Sequence, residues 1–329
     1  MNQEKEVLMK IRNLTKEFQL KSNKWGEKAP ILHALNDVSI DIYQGETLGV
    51  IGESGCGKST FGKTIVQLHR ATRGEVEYKG NNIFNLKGKE LKNLKKEIQM
   101  VFQDPYSSLN PRKTAFKLIE EPFIVHKLMP NKKEREEKVL ELLQEVGLGT
   151  QHAHRYPHEF SGGQRQRINV ARALAMNPKV IVCDEPVSAL DVSVQAQVLN
   201  LFQKLQREHN LTYIFISHDL GVIKHMSDRI AIMYLGKIVE LCDAKFIYDN
   251  PLHPYTKALL SAIPKESPFE KKERIVLKGE IPSPIGEQIG CSLSGRCPNC
   301  MERCKVESPS LIEVEKGHQV ACFLYEKKE

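Results

Sequence analysis

Gly52-Glu53-Ser54-Gly55-Cys56-Gly57-Lys58-Ser59-Thr60 follows directly on the strand-like run Glu46-Thr47-Leu48-Gly49-Val50-Ile51. A helix is expected to begin near Lys58 and to continue through Ile65 and Leu68. Strand, glycine loop and helix together make a phosphate cradle. Gly52, Gly55 and Gly57 let the backbone turn tightly and aim its N–H groups at phosphate oxygens. Lys58 can reach the β and γ phosphates, and Ser59 offers a hydroxyl to magnesium. By itself the loop says only that a nucleotide binds.

Residues far along the chain say what is done with that nucleotide. Asp184 ends the apolar run Val180-Ile181-Val182-Cys183, which puts a carboxylate at the carboxyl edge of a sheet, suited to holding magnesium through water. Glu185 comes next and is expected to polarise the water that attacks the γ phosphate. Ser217-His218-Asp219 closes a further strand, where His218 is expected to contact the γ phosphate and orient the water. Gln103, in Val101-Phe102-Gln103-Asp104, has an amide that can reach magnesium or the same water. In Phe160-Ser161-Gly162-Gly163-Gln164-Arg165-Gln166-Arg167, Ser161 and the glycines open a second helix whose exposed N–H groups attract an anion. One triphosphate uses both helix starts if two chains pack head to tail.

Short apolar runs alternate with helical spacing at Lys132 to Val146, Gly163 to Ala175 and Ser193 to Glu208, which argues a parallel α/β core. The stretch from about 104 to 177 is largely helical and is expected to be an inserted helical subdomain. With 329 residues, 40% hydrophobic and 27% charged, the chain has the composition of an ordinary globular protein. Its longest apolar runs fall short of the roughly 20 residues a spanning helix needs, and the N-terminus lacks the apolar core of a secretory signal. A cytoplasmic chain is expected. The net charge of +7 is mild, and the lysine runs at 87–96 and 132–135 are interrupted by glutamates, as on solvated helix faces.

Five of the eight cysteines fall between Cys291 and Cys322. Cys291, Cys297, Cys304 and Cys322 are spaced C-x5-C-x6-C-x17-C, and four thiolates can hold an iron–sulfur cluster or tetrahedral zinc. Cys300 opens a second pattern, C-x2-C-x3-C, and is expected to be a bystander.

These motifs resemble the ATP-binding cassette (ABC) family: GESGCGKST as its phosphate loop, VIVCDEP as its acidic strand, FSGGQRQR as its signature, SALD as its D-loop and SHD as its switch histidine. The resemblance covers about residues 6–245. It implies a P-loop ATPase domain with an antiparallel β subdomain and an inserted helical subdomain. It also implies ATP and Mg2+ as ligands and a nucleotide-sandwich dimer. Ser161, Gly162, Gly163 and Gln164 would then face ATP held by Lys58 of the partner subunit. Asp191 would lie at the seam, and Gln103 at the joint with a transmembrane partner. An aromatic stacks on adenine in this family; Phe18 matches best, with Trp25 as the alternative.

A closer resemblance, to ATPase subunits of bacterial dipeptide and oligopeptide importers, is carried by FQDPYSSLNPR (102–112), HPYTKALL (253–260), GCSLSGRCP (290–298) and GHQVAC (317–322). It implies an ATPase domain over 1–250 and a cysteine-rich extension over 251–329, with a [4Fe-4S] cluster on Cys291, Cys297, Cys304 and Cys322. It further implies two transmembrane permease subunits, an identical or homologous second ATPase, an extracellular peptide-binding protein, and a peripheral place on the cytoplasmic face of the bacterial membrane. Related importers also carry nickel or other small solutes, so those remain open. A soluble cassette acting on DNA or ribosomes is the reading from a different class. It is disfavoured because no long coiled coil, inserted zinc module or second cassette is evident, and no nucleic-acid partner is expected.

Overall fold

The computed structural model describes residues 6–21, 29–263, 274–286 and 288–326. In chain order the elements are β1 (Val7–Gln19), β2 (Ile31–Tyr43), β3 (Thr47–Ile51), α1 (Lys58–Ile65), β4 (Arg73–Tyr78), β5 (Asn81–Asn82), α2 (Gly88–Glu97) and β6 (Ile98–Val101). There follow α3 (Ala115–Val125), α4 (Lys132–Glu145), α5 (Gly162–Leu174), β7 (Val180–Asp184), α6 (Val192–His209), β8 (Thr212–Ser217), α7 (Leu220–Met226) and β9 (Arg229–Tyr234). The rest are β10 (Lys237–Asp243), α8 (Ala244–Asp249), α9 (Pro254–Ser261), α10 (Glu302–Val306), β11 (Ile312–Glu315) and β12 (His318–Val320). They fall into two compact units.

One unit comprises Asn85–Ile216 with Tyr43–Glu46. Its strands β6, β7 and β8 pair in parallel, with Val182 opposite both Met100 and Ile214. Every residue of β7 and β8 is buried, which is why their sequences are near-continuous apolar runs and not alternating ones. Helices α3, α4 and α5 pack on one another, α4 turning Val139, Leu142 and Leu143 inward. Within 104–177 the described α-helices are these three, with short 3-10 turns at Thr150–His152 and Pro157–Glu159. Of α2 only Leu94 is buried, so its lysines lie at the surface.

The other unit comprises Val7–Ile42, Thr47–Phe84 and Ser217 onward. A four-stranded sheet runs in the order β2-β1-β4-β5, with β4 antiparallel to both neighbours. Separately, β3 pairs in parallel with β9, and β10, β12 and β11 continue from β9 by antiparallel pairing. The parallel core expected from the sequence therefore carries an antiparallel margin, part of it built from the far tail. Helix α1 stops at Ile65, short of the expected Leu68. Gln67 takes a left-handed backbone (φ 59°), which an α-helix cannot continue, and Leu68 is left exposed.

The tail is fastened by a buried carboxylate. Glu240 in β10 is fully buried, and its oxygens accept from the backbone N–H groups of Leu252 (2.8 Å) and His253 (2.9 Å) and pair with His318 Nε2 (2.7 Å). Burial alone would raise this carboxyl. The hydrogen bonds from His318, Thr256, Leu252 and His253 outweigh it and hold it below the usual carboxylate range. His253, 2% exposed, caps α9 by accepting the Tyr255 N–H at Nδ1 (3.1 Å).

Burial pulls His253 from 6.5 down to about 4, against the attraction of Glu240. As pH falls from 6.5 toward 4 the unfolded chain takes up this proton while the folded chain refuses it, so acid favours unfolding across that window. Glu240 acts in the same direction, because its depressed folded value means stability is lost as pH falls through that value. Thermal melts should therefore show a steep loss of stability between pH 6.5 and 4 that is flatter in His253→Asn. An unchanged slope in that variant would remove His253 from this role.

Candidate functional site

The phosphate loop is shaped by close approach. A Cβ on Gly52 would stand 2.1 Å from the Met233 carbonyl oxygen, and one on Gly57 2.3 Å from that of Ala34. Gly57, at φ 106°, is also the N-cap of α1 in a conformation that favours glycine. The loop therefore lies flat on neighbouring backbone, and the first turn of α1 presents its N–H groups at the loop's mouth. Lys58 is 5% exposed, and its ammonium donates to the carbonyls of Gly52 (2.8 Å) and Glu53 (3.0 Å). Ser54 and Gly55 are exposed at the loop's tip, while Ser59 and Thr60 sit half-buried in α1. Cys56 is buried and its thiol pushed up by that burial, so its contribution is backbone.

Two of the candidate nucleotide residues have close partners of their own. The carboxylate of Glu53, grouped above with the nucleotide-binding residues, is turned to Arg296 of the tail. Phe18, in β1, has Lys16 Nζ over its ring at 4.7 Å and the edge of His69 at 5.3 Å. Trp25, the other adenine candidate, lies outside the described residues. His218 is exposed just beyond β8.

In the other unit the acidic strand end is built as expected. Asp184 is 3% exposed at the end of β7, and Glu185 turns out of the strand with a left-handed backbone (φ 46°), its N–H donating to the Ile216 carbonyl (3.0 Å). That kink brings its carboxylate to Gln103, whose Nε2 donates to Oε2 at 2.8 Å across 82 residues of chain. Two candidates that were separate in the sequence are thus one pair.

Ser161 is the N-cap of α5, accepting the Gln164 N–H at 3.3 Å, while the Gln164 side chain accepts the Ser161 N–H at 3.0 Å. This reciprocal cap, worth about 1 kcal/mol, uses the Gln164 side chain locally. Gly163 has no room for a side chain, since a Cβ would meet Val194 at 2.3 Å. Asp191 is the exposed N-cap of α6, followed by Val192 at 82% exposure.

In the tail, Cys291, Cys297, Cys304 and Cys322 line one small apolar cavity with Leu293 and Phe323; Cys300 is not among its walls. Burial raises the thiols of Cys291 and Cys297 and pushes Cys322 up to about 11. A soft metal centre entering there would have to displace these protons. Among the described residues no three cysteine sulfurs all lie within 4.8 Å of one another. Arg296, Tyr234 and Tyr255, which reach the phosphate loop, were not singled out from the sequence. Their only signal was position: Tyr255 in HPYTKALL and Arg296 beside Cys297.

Comparison with known proteins agrees with these features. Residues 35–188 match the family described as "ABC transporter", and 239–304 match "Oligopeptide/dipeptide transporter, C-terminal region". The oligopeptide transport ATP-binding protein AppF of Bacillus subtilis is 53% identical over 97% of this chain and 98% of its own. The dipeptide transport ATP-binding protein DppF of Haemophilus influenzae is 50% identical over 88% of each. A dimeric ATP-binding cassette solved with ADP and phosphate is 32% identical and superposes with a TM-score of 0.62, covering 72% of this chain and 98% of that one.

Gly57→Ala tests the close approach directly. The left-handed strain and the contact with Ala34 should cost about 2 kcal/mol or more and greatly weaken nucleotide binding, measured by melting temperature and by titration with a fluorescent ATP analogue.

Proposed function

The chain belongs to the ABC transporter family, among the ATP-binding proteins of oligopeptide and dipeptide transport, and on that footing we propose how it works. It is the ATP-hydrolysing subunit that powers import of dipeptides and oligopeptides. The observation that carries this reading is the joint presence of a phosphate loop, a Glu185–Gln103 pair and a tail matching the peptide-transporter C-terminal region. The ATPase domain spans 1–250, and 251–329 form the extension.

In this reading Lys58 holds the β and γ phosphates, and the loop amides of 52–60 cradle the rest. Ser59, Asp184 and Gln103 offer oxygen donors, the ligand type that magnesium takes, and the bound ion neutralises charge on the phosphates. Glu185 polarises the attacking water. The Gln103 amide holds that carboxylate in orientation without adding a charge that would compete for it. His218 contacts the γ phosphate and orients the water. Phe18 supplies an aromatic face for adenine.

Two such chains, identical or homologous, close head to tail on two ATP molecules. Ser161 and Gly163 of one face the triphosphate held by Lys58 of the partner subunit, and Asp191 lies at the seam. A dimeric ATP-binding cassette of similar fold supports this. Among the described residues no helix is long and apolar enough to cross a membrane. On the likeness to ATP-binding proteins of oligopeptide and dipeptide transport, the dimer acts peripherally, on the cytoplasmic face, by moving two permease subunits, while an extracellular binding protein selects the peptide.

The tail holds a [4Fe-4S] cluster on Cys291, Cys297, Cys304 and Cys322. Support comes from the shared cavity and from the position of Cys300 outside its walls.

Glu185→Gln should bind ATP normally, lose turnover by about 100-fold or more and accumulate closed dimers; normal steady-state hydrolysis would overturn the assignment. Iron and acid-labile sulfide, assayed on anaerobically purified protein, should survive Cys300→Ser and be lost in Cys297→Ser. Zinc in place of iron would overturn the cluster assignment.

A further inference from the structure

Glu53, the second residue of the phosphate loop, is held at three points. Its N–H donates to the Tyr255 hydroxyl at 2.8 Å, and its carbonyl accepts from Lys58 Nζ at 3.0 Å. Its carboxylate takes a two-point fork from Arg296, Nη1 to Oε2 at 2.9 Å and Nη2 to Oε1 at 3.3 Å. Arg296 comes from the tail, 243 residues away in sequence and immediately before Cys297. Its guanidinium is only 10% exposed. Nη1 also donates to the Tyr234 hydroxyl at 3.3 Å, and the Tyr234 ring packs 4.7 Å from that of Tyr255.

The chemistry of this arrangement bears on ATP. A triphosphate approaches a loop that contains a carboxylate, and two anions close together repel. A planar guanidinium that forks onto the carboxylate cancels its charge and fixes its direction, which a lysine at the same place would do with less geometric control. We propose that Arg296 is a positioning residue of the nucleotide site: acting through Glu53, it sets the charge and geometry of the phosphate loop, so that seating of the cysteine-rich tail and affinity for ATP form one equilibrium. Coupling of this kind is reciprocal, and ATP must stabilise the seated tail in return. The proposal rests on the reading of loop 52–60 as the ATP site. Lys58→Ala tests that reading separately, since it should abolish binding whatever Arg296 does.

The test is equilibrium titration of the full-length chain with a non-hydrolysable ATP analogue, alongside hydrolysis by the assembled transporter. Arg296→Gln should raise Kd and KM together by about tenfold, with a smaller change in kcat, and Arg296→Lys should recover part of the loss. The double variant Glu53→Gln/Arg296→Gln, which removes both charges, should bind the analogue more tightly than Arg296→Gln alone. A purely structural role for Arg296 would give no such recovery. In hydrogen exchange, the nucleotide should slow the amides of 290–300 in the wild type and leave them unaffected in Arg296→Gln. A wild-type Kd in Arg296→Gln would overturn the proposal. So would a double variant as weak as the single one, or tail exchange indifferent to nucleotide in the wild type.

Discussion

Three missing side chains govern the nucleotide half of this protein. Gly49 packs against Ser227, Gly52 against the Met233 carbonyl and Gly57 against the Ala34 carbonyl, each with less than 3 Å for a Cβ that is not there. Because the loop can lie on backbone in this way, Lys58 is buried with its ammonium turned back along the loop, and α1 starts where its N–H groups meet the loop's mouth. A methyl at Gly52 or Gly57 would lift the loop and with it every group that addresses phosphate. Beneath, β3 is buried throughout and β9 in all but its first residue, so they give little in response.

Two glutamates near the phosphate chemistry have been given contrasting partners. Glu185 meets an amide, Gln103, which orients its carboxylate and adds no charge of its own. Glu53 meets a guanidinium, Arg296, which neutralises it. In the proposed mechanism the difference follows the task, because one carboxylate would serve as a base and the other would only repel the substrate. Carboxylate geometry is controlled in both, with the Gln103 hydrogen bond in the first and a guanidinium fork in the second.

The tail is fastened by polar anchoring. A buried, unpartnered carboxylate would be strongly destabilising. Glu240 is tolerated in β10 because Leu252, His253 and His318 all donate to it. The same three contacts bind the start of α9 and the β12 strand to the sheet margin, and Tyr255 follows two residues after His253. The anchoring therefore also delivers the hydroxyl that meets Glu53.

What was legible in the sequence was whatever works through contiguous residues. The glycine loop, the strand ending in Asp184 and the Ser161 helix start each carry their pattern within about ten residues, and periodicity located α4 and α5 to within a residue or two, whereas the bounds of α3 were not read. The end of α1 was misjudged because Leu68 continues the apolar period while the backbone at Gln67 does not. Only the tertiary structure decided the pairing of Gln103 with Glu185, the burial of Glu240 under His318, and the reach of Arg296 to Glu53, spanning 82, 78 and 243 residues. Such contacts leave no local trace, because a charged side chain has the same spelling whether it faces water or a partner brought to it by the packing of distant strands.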